Sequence, residues 1–382
     1  ITLDDVRENK KGSPPFSELV PLAIQQDIIF SAGVFKADRS QDTSYWVIRM
    51  INEDFPGADE HVVYQMGNEV NEMHGFDPLG LRKKSKETGV NYGNSHEVLE
   101  AYTEMLFAPG VEVVRAVSED VYGDPDKLFI LSGSVANIFD PNSVEWADDF
   151  LDYKIKGEYA PSLKGQRAGD LIDALAVHYP LAGANGRQLL DELYDRFIAS
   201  GKVENLWFTE DHGRRGEGPV AIVARSFRYI DWIGAHQIDP GQTVLCWWGA
   251  QFEKAGGTPL DAVTKLGKYT GVSEPLREAY IEKDGVELYL FLVGDVSSPK
   301  GILIGVVSGD IRMRVNELKI DLASDLADWA MKTSWVGEWT AYSTVSKPKE
   351  KNVAVDAVDG SLVIDLNEVL PEAGLIWLSP GE

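Results

Sequence analysis

From Asp27 to Ala250, short runs of strand-forming residues alternate with stretches whose apolar residues recur at helical spacing. This alternation constrains the fold more than any other feature of the chain. Strand-like runs fall at Ile28–Phe35, Val62–Asn68, Leu128–Gly133, Ala174–His178, Leu206–Thr209 and Thr243–Trp248. Several are almost continuously apolar, as expected of strands covered on both faces. Helical stretches lie between them at Ser44–Phe55, His96–Phe107, Val144–Tyr153, Arg187–Ser200 and Val220–Ile233. Leu189, Leu190, Leu193, Tyr194 and Phe197 mark the clearest of these stripes and are expected to be core. This alternation implies parallel strands, because a parallel pair needs a long crossover and a helix is its usual form.

Beyond Ala250 the texture changes. Thr258–Leu266 fits a last helix of the first architecture, and Glu287–Val293, Gly301–Val307, Val353–Val358 and Leu362–Leu366 then read as strands. The turns Lys283-Asp284-Gly285 and Asp359-Gly360 separate them. The 382 residues exceed what one hydrophobic core usually serves. We therefore expect an α/β domain over residues 1–268 and an all-β sandwich over 269–382.

Net charge is −25, from 61 acidic and 36 basic residues, which opposes broad contact with nucleic acid or an anionic membrane surface. No apolar run has the length of a membrane span. Such acidity suits a saline or extracellular setting; Ile1 opens without a signal-peptide leader, as a trimmed secreted chain would. Cys246 is the one cysteine, so neither an internal disulfide nor a cysteine zinc site is expected, and its apolar surroundings predict burial.

Two strand ends carry chemistry. Tyr64-Gln65-Met66-Gly67-Asn68-Glu69 ends an apolar run in an amide and a carboxylate, and Asn205-Leu206-Trp207-Phe208-Thr209-Glu210 ends another in a carboxylate. Two further strands lie between, so the glutamates sit three strands apart. In a parallel barrel the C-terminal strand ends share one face, which would bring both side chains to one mouth.

Gly67-Asn68-Glu69 and Thr209-Glu210, at this strand interval, resemble clan A of the glycoside hydrolases. Members of that clan are (β/α)8 TIM barrels with an acid/base after strand four, usually following asparagine, and a nucleophile after strand seven. The resemblance covers roughly residues 20–265 and implies Glu69 as acid/base and Glu210 as nucleophile of a retaining glycosidase acting on a β-linked poly- or oligosaccharide, without cofactor or metal. It further implies that Asn68 binds the sugar 2-hydroxyl and that His178 and Tyr179, at the end of strand six, position the sugar ring, with Tyr179 orienting Glu210. Cys246-Trp247-Trp248 is similar to the clan's sugar platform. Trp247 and Trp248 are adjacent on a strand and point to opposite faces, so one of them lines the mouth, and Trp248 is nearer the C-terminal end. His212, in the loop after Glu210, joins the substrate-binding set. A trailing sandwich is closer to the xylosidase, arabinofuranosidase, glucuronidase and agarase groups than to compact cellulases. The departure is at the start: counting back from Glu69 makes Ile28–Phe35 strand three and Ile1-Thr2-Leu3 a stub of strand two, with strand one lacking and Arg7 the nearest basic residue.

Other readings are weaker. Glu72, His74, Asp77 and His212 match no metal-ligand spacing, and no Gly-x-Ser-x-Gly elbow occurs. Ser132-Gly133-Ser134 reads as a turn that shapes the cleft. Asn71 through Tyr92 is longer than a barrel connection requires and would set substrate choice. Trp207 and Trp46 are expected to pack rather than to present platforms. The rival from another class is a non-catalytic carbohydrate-binding protein on a degenerate barrel, which would retain aromatic platforms but lose a carboxylate.

Overall fold

A computed structural model describes residues 15–27, 29–33, 41–73, 77–180, 186–211, 219–239, 241–247, 272–275, 279–280, 286–295, 298–308, 313–322, 324–343, 346–371 and 373–381. The chain forms two compact units. The first comprises residues 1–183, 188–211 and 240–246; the second comprises 184–187, 212–239 and 247–382.

The first unit is built on six strands: β1 (Phe30–Ala32), β2 (Val62–Gln65), β3 (Ile130–Leu131), β4 (Ala174–His178), β5 (Asn205–Asp211) and β6 (Thr243–Trp247). They lie side by side in chain order, and β1 through β5 pair in parallel. Helices connect them, among them Gln41–Asp54, Ala108–Tyr122 and Pro141–Asp152. This is a partial (β/α) barrel, as the alternation required; six of its strands lie among the described residues. The proposed stub Ile1-Thr2-Leu3, Arg7 and the helix expected at Thr258–Leu266 fall outside them.

All five residues of β4 are buried, and Val63, Leu131, Ala174, Ala176 and Trp207 form one cluster between strands. Trp207 stacks on Phe129 with ring centroids 4.9 Å apart and donates its indole N–H to the Gly241 carbonyl, so it packs as expected. Trp46 does not: it is 53% exposed, because the buried stripe of its helix runs through Ser44, Val47, Ile48 and Ile51 and leaves position 46 outside. The Arg49 guanidinium lies over its ring. Cys246 is exposed rather than buried.

Two helices pass through one wide turn each, and the first runs longer than periodicity suggested. His96–Tyr102 continues through a π-helical Thr103–Phe107 into Ala108–Tyr122, and Gly186–Leu193 continues through Tyr194–Ala199. Leu190, Leu193 and Phe197 are fully buried, so the apolar stripe survives the extra residue. The segment Asn71–Tyr92 contains its own helix, Leu81–Thr88, whose first two N–H groups, on Leu81 and Arg82, donate to the Asp77 carboxylate.

Among the described residues the second unit has nine strands: β7 (Val272–Pro275), β8 (Ala279–Tyr280), β9 (Glu287–Asp295), β10 (Ser298–Val307), β11 (Arg314–Asp321), β12 (Trp335–Ser343), β13 (Ser346–Val358), β14 (Ser361–Val369) and β15 (Ala373–Pro380). Their order is β7-β9-β10-β15-β12-β13-β14-β11-β8. The long β13 explains how one chain of pairings becomes two layers. It pairs with β12 as far as Val353, then with β14 from Ala354 onward, so its two halves belong to different sheets. Leu292, Ile304, Trp339 and Ile376 from one layer meet Leu318, Ile320, Leu362 and Ile364 from the other in a single core. Glycine at position 374 is required by that packing, since a Cβ there would lie 2.1 Å from the Trp339 ring. On the outer face of the first layer, Val223, Ala224 and Phe227 of the helix Pro219–His236 cover Phe291, Leu303, Tyr342 and Leu375. Gly305 opens the space for Phe227, whose ring a Cβ would approach to 2.6 Å.

Two phenols sit wholly inside the first unit. Tyr64 accepts a hydrogen bond from Asn52 Nδ2 at 2.6 Å, and Tyr102 Oη accepts one from the Gly133 N–H at 2.7 Å. Burial pushes both phenols far above their ordinary ionisation range. A group that holds its proton more tightly when folded leaves stability flat below the unfolded value, about pH 10 for tyrosine, and erodes it above. The urea midpoint should therefore hold to about pH 9.5 and fall steadily by about pH 11.5, and Tyr64→Phe should flatten that fall. A midpoint constant across the whole range would show that neither phenol needs to stay neutral.

Candidate active site

The C-terminal ends of β2, β3, β4 and β5 lie along one edge of the sheet and converge on two carboxyl groups. After β2 the chain turns sharply: Gly67 has φ 101°, and Glu69 itself adopts left-handed backbone angles (φ 48°, ψ 49°) before the short 3-10 turn Val70–Glu72. A glutamate in this conformation costs roughly 1–3 kcal/mol and persists only where neighbours over-determine it. Those neighbours are on the segment after β3. The Ser134 N–H donates to the Gly67 carbonyl at 3.3 Å, and the Val70 N–H donates to the Ser134 carbonyl at 3.0 Å. Between these, the Glu69 N–H donates to Ser134 Oγ at 2.9 Å, and that hydroxyl donates to Asn68 Oδ1 at 3.1 Å.

Gly133 permits this approach. A Cβ there would lie 2.6 Å from the Met66 carbonyl oxygen and 2.7 Å from Tyr102 Oη. Fully buried Asn71 fastens the same two segments from below, accepting from the Ala136 N–H at 2.7 Å and donating to the Ala136 carbonyl at 3.1 Å.

Across the mouth, β4 ends in His178, and Tyr179 follows it. Tyr179 is also left-handed, with φ 61°, and its N–H donates to the Glu210 carbonyl at 2.9 Å. Val177 pairs with Phe208 but His178 pairs with Glu210, so Thr209 is the extra residue of a β-bulge. A bulge next to a site re-aims the side chains that follow it. Here it sets Glu210 beside His178 in place of Thr209.

The Tyr179 hydroxyl lies 2.8 Å from Glu69 Oε1 and 2.9 Å from Glu210 Oε1. Those two carboxyl oxygens are therefore within about 5.7 Å of each other, the sum of the two contacts. A phenol has one hydrogen and can donate to one of them; the second contact is a hydrogen bond when that carboxyl is protonated and donates to the phenol oxygen. Burial, reinforced by the Glu69 and Glu210 carboxylates, raises the Tyr179 phenol far above its ordinary value, so it remains a neutral donor. His178, 1% exposed, places Nδ1 3.4 Å from Glu69 Oε1 and 3.9 Å from Glu210 Oε2. The Glu69 and Glu210 side chains are 14% and 24% exposed, open enough to meet a ligand yet largely shielded from water.

The structure thus brings Asn68, Glu69, His178, Tyr179 and Glu210 together. Trp247 closes β6, while Trp248 and His212 lie outside the described residues. Sequence reasoning missed Ser134 as a member of the site. Its Ser-Gly-Ser context signals a turn, and no local pattern reveals that its hydroxyl meets a segment 65 residues earlier. Glu72 accepts from Asn137 Nδ2 at 2.7 Å and Asp77 caps a helix, so both carboxylates have structural partners. Among the described residues no group of three His, Cys, Asp or Glu side chains is arranged to hold a metal, and no helix is long and apolar enough to cross a membrane.

No protein-family model and no curated protein sequence match the chain. Solved structures do. A β-porphyranase of glycoside hydrolase family 86 from the human gut bacterium Bacteroides plebeius is similar over 93% of this chain and 63% of its own, at 11% identity and a TM-score of 0.50. CelM2, a bifunctional glucanase-xylanase from a metagenome library, is similar over 90% of this chain and 70% of its own, at 11% identity and a TM-score of 0.51. The chain thus spans less than two thirds of the porphyranase's length. At this identity the likeness is one of fold alone.

Gly133→Ala tests the close approach on which the site rests. With carbonyl, hydroxyl and Val70 atoms all inside 3 Å of the new methyl, we expect a loss of about 1–3 kcal/mol in denaturant unfolding. An alanine variant as stable as the parent would mean that the β2 and β3 ends separate without cost.

Proposed function

We propose that this chain is a retaining glycoside hydrolase that cleaves β-linked poly- or oligosaccharides by double displacement, with Glu69 as acid/base and Glu210 as nucleophile. The observation that carries this reading is the Tyr179 hydroxyl within hydrogen-bonding range of both carboxyls. It supports a pair closer than the roughly 6.5–9.5 Å that inverting enzymes keep for a water, and in keeping with the roughly 5–5.5 Å of retaining ones. Both contacts are satisfied when the pair carries one proton, which is the state the first step requires.

In that step the Glu69 carboxylic acid gives its proton to the glycosidic oxygen as the bond to the anomeric carbon breaks, and Glu210 attacks that carbon to form a glycosyl ester. The leaving sugar departs with the proton. Glu69, now a carboxylate, takes a proton from water while the water oxygen displaces Glu210. One water is consumed, and both carboxyls return to their starting states. Tyr179 acts throughout as a neutral donor, which steadies whichever carboxylate is ionised and keeps the two charges from being forced apart. Asn68 is assigned to the sugar 2-hydroxyl. By the same resemblance, Trp248 and His212 are assigned to sugar contact.

A panel of 4-nitrophenyl β-glycosides and β-linked polysaccharides, with the first-formed product anomer followed by proton NMR, tests the reading. Net retention is expected, and inversion would contradict the assigned roles. Glu210→Gln should lower kcat by about 10⁴-fold or more while sugar binding persists. Glu69→Gln should cost about 10²–10⁴-fold, least for the most acidic leaving groups, which need no proton. A carbohydrate-binding module would show sugar binding with no turnover in the parent chain.

A further inference from the structure

Ser134 grips the segment Gly67–Val70 at four points, two through its backbone and two through its hydroxyl. It is fully buried, so water cannot substitute for these bonds. The backbone bonds lie at the segment's ends and would survive a change of side chain. The hydroxyl does something else: it forms a directed relay, receiving the Glu69 N–H and passing its own hydrogen to Asn68 Oδ1. An asparagine amide has one accepting and one donating end and can flip between them. With Oδ1 engaged by Ser134, the amide of this exposed residue presents its Nδ2 donor away from Ser134.

We propose that Ser134 is a positioning residue that fixes the amide of Asn68 with its donor toward the substrate, and so selects a ligand that offers a hydroxyl acceptor next to the scissile carbon. The inference rests on the glycosidase reading and adds to it the residue that decides which end of Asn68 the sugar meets. The same hydroxyl ties Asn68 to the left-handed turn at Glu69, so the acid/base and the hydroxyl-binding amide move as one body. Ser134 touches no reacting atom and acts through these two neighbours.

The test uses the whole 382-residue chain, the 4-nitrophenyl glycoside that it hydrolyses fastest, and the 2-deoxy counterpart of that glycoside. The parent chain should favour the 2-hydroxy substrate in kcat/KM by about tenfold or more, the worth of one well-placed hydrogen bond. Ser134→Ala should erase most of this preference, losing about tenfold more on the 2-hydroxy substrate than on the 2-deoxy one. Asn68→Asp, which still accepts from Ser134 but has no donor, should collapse the same ratio without removing the serine. Equal losses on both substrates in Ser134→Ala, or an undiminished ratio in Asn68→Asp, would overturn the assignment while leaving the glycosidase intact. A parent chain that hydrolyses no 4-nitrophenyl glycoside of the panel overturns the glycosidase reading, and the role of Ser134 with it.

Discussion

Two carboxyl groups held against one phenol are costly neighbours, and much of the first unit can be understood as the means of keeping them there. Like charges at this range in a partly shielded cleft repel strongly, and a neutral donor between them relieves the repulsion only if it stays neutral. Tyr179 meets that condition because burial and the carboxylates themselves suppress its ionisation. The backbone bears the remaining cost. Glu69 and Tyr179, the two residues that face each other across the mouth, are both in left-handed conformations that glutamate and tyrosine avoid. Each is tied down by a backbone hydrogen bond from its own N–H, Glu69 to Ser134 and Tyr179 to Glu210.

The sheet supplies what these local bonds cannot. Parallel order puts the ends of β2, β3, β4 and β5 on one edge, so residues more than a hundred positions apart share a site without any long-range motif linking them. Regular pairing would still set Thr209 beside His178. The bulge in β5 corrects this by one residue, which on a strand with alternating faces is the difference between a side chain at the mouth and one turned from it. Gly67 and Gly133 belong to the same account, since one supplies a sharp turn and the other lets two chain segments meet at backbone distance.

The second unit follows different rules. Its core is made by a strand that leaves one layer and enters the other, and its tightest contacts are glycines facing aromatic rings, Gly374 against Trp339 and Gly305 against Phe227. The latter pair fixes the helix Pro219–His236 to the sandwich. That helix follows the strand bearing Glu210 in the chain, so the segment downstream of Glu210 belongs structurally to the all-β unit.

The sequence by itself determined the parallel architecture, the sandwich after it and the two glutamates. Each rests on a periodic or positional signal: continuous apolar runs for strands such as Ala174–His178, and a carboxylate directly after such a run for Glu69 and Glu210. It was silent where the cause is not local. Strands β11 and β12 carry mixed patterns that gain meaning only from their partners, and the helix Leu81–Thr88 is almost wholly polar, so no apolar period marks it. Trp46 could not be placed because a helix's buried face depends on what it packs against. Above all, tertiary structure decided that Ser134 belongs to the site, that β5 bulges at Thr209, and that one phenol serves two acids. Hydrogen bonds between segments 65 and 110 residues apart depend on distances of a few ångströms, which pairing register sets and composition does not encode.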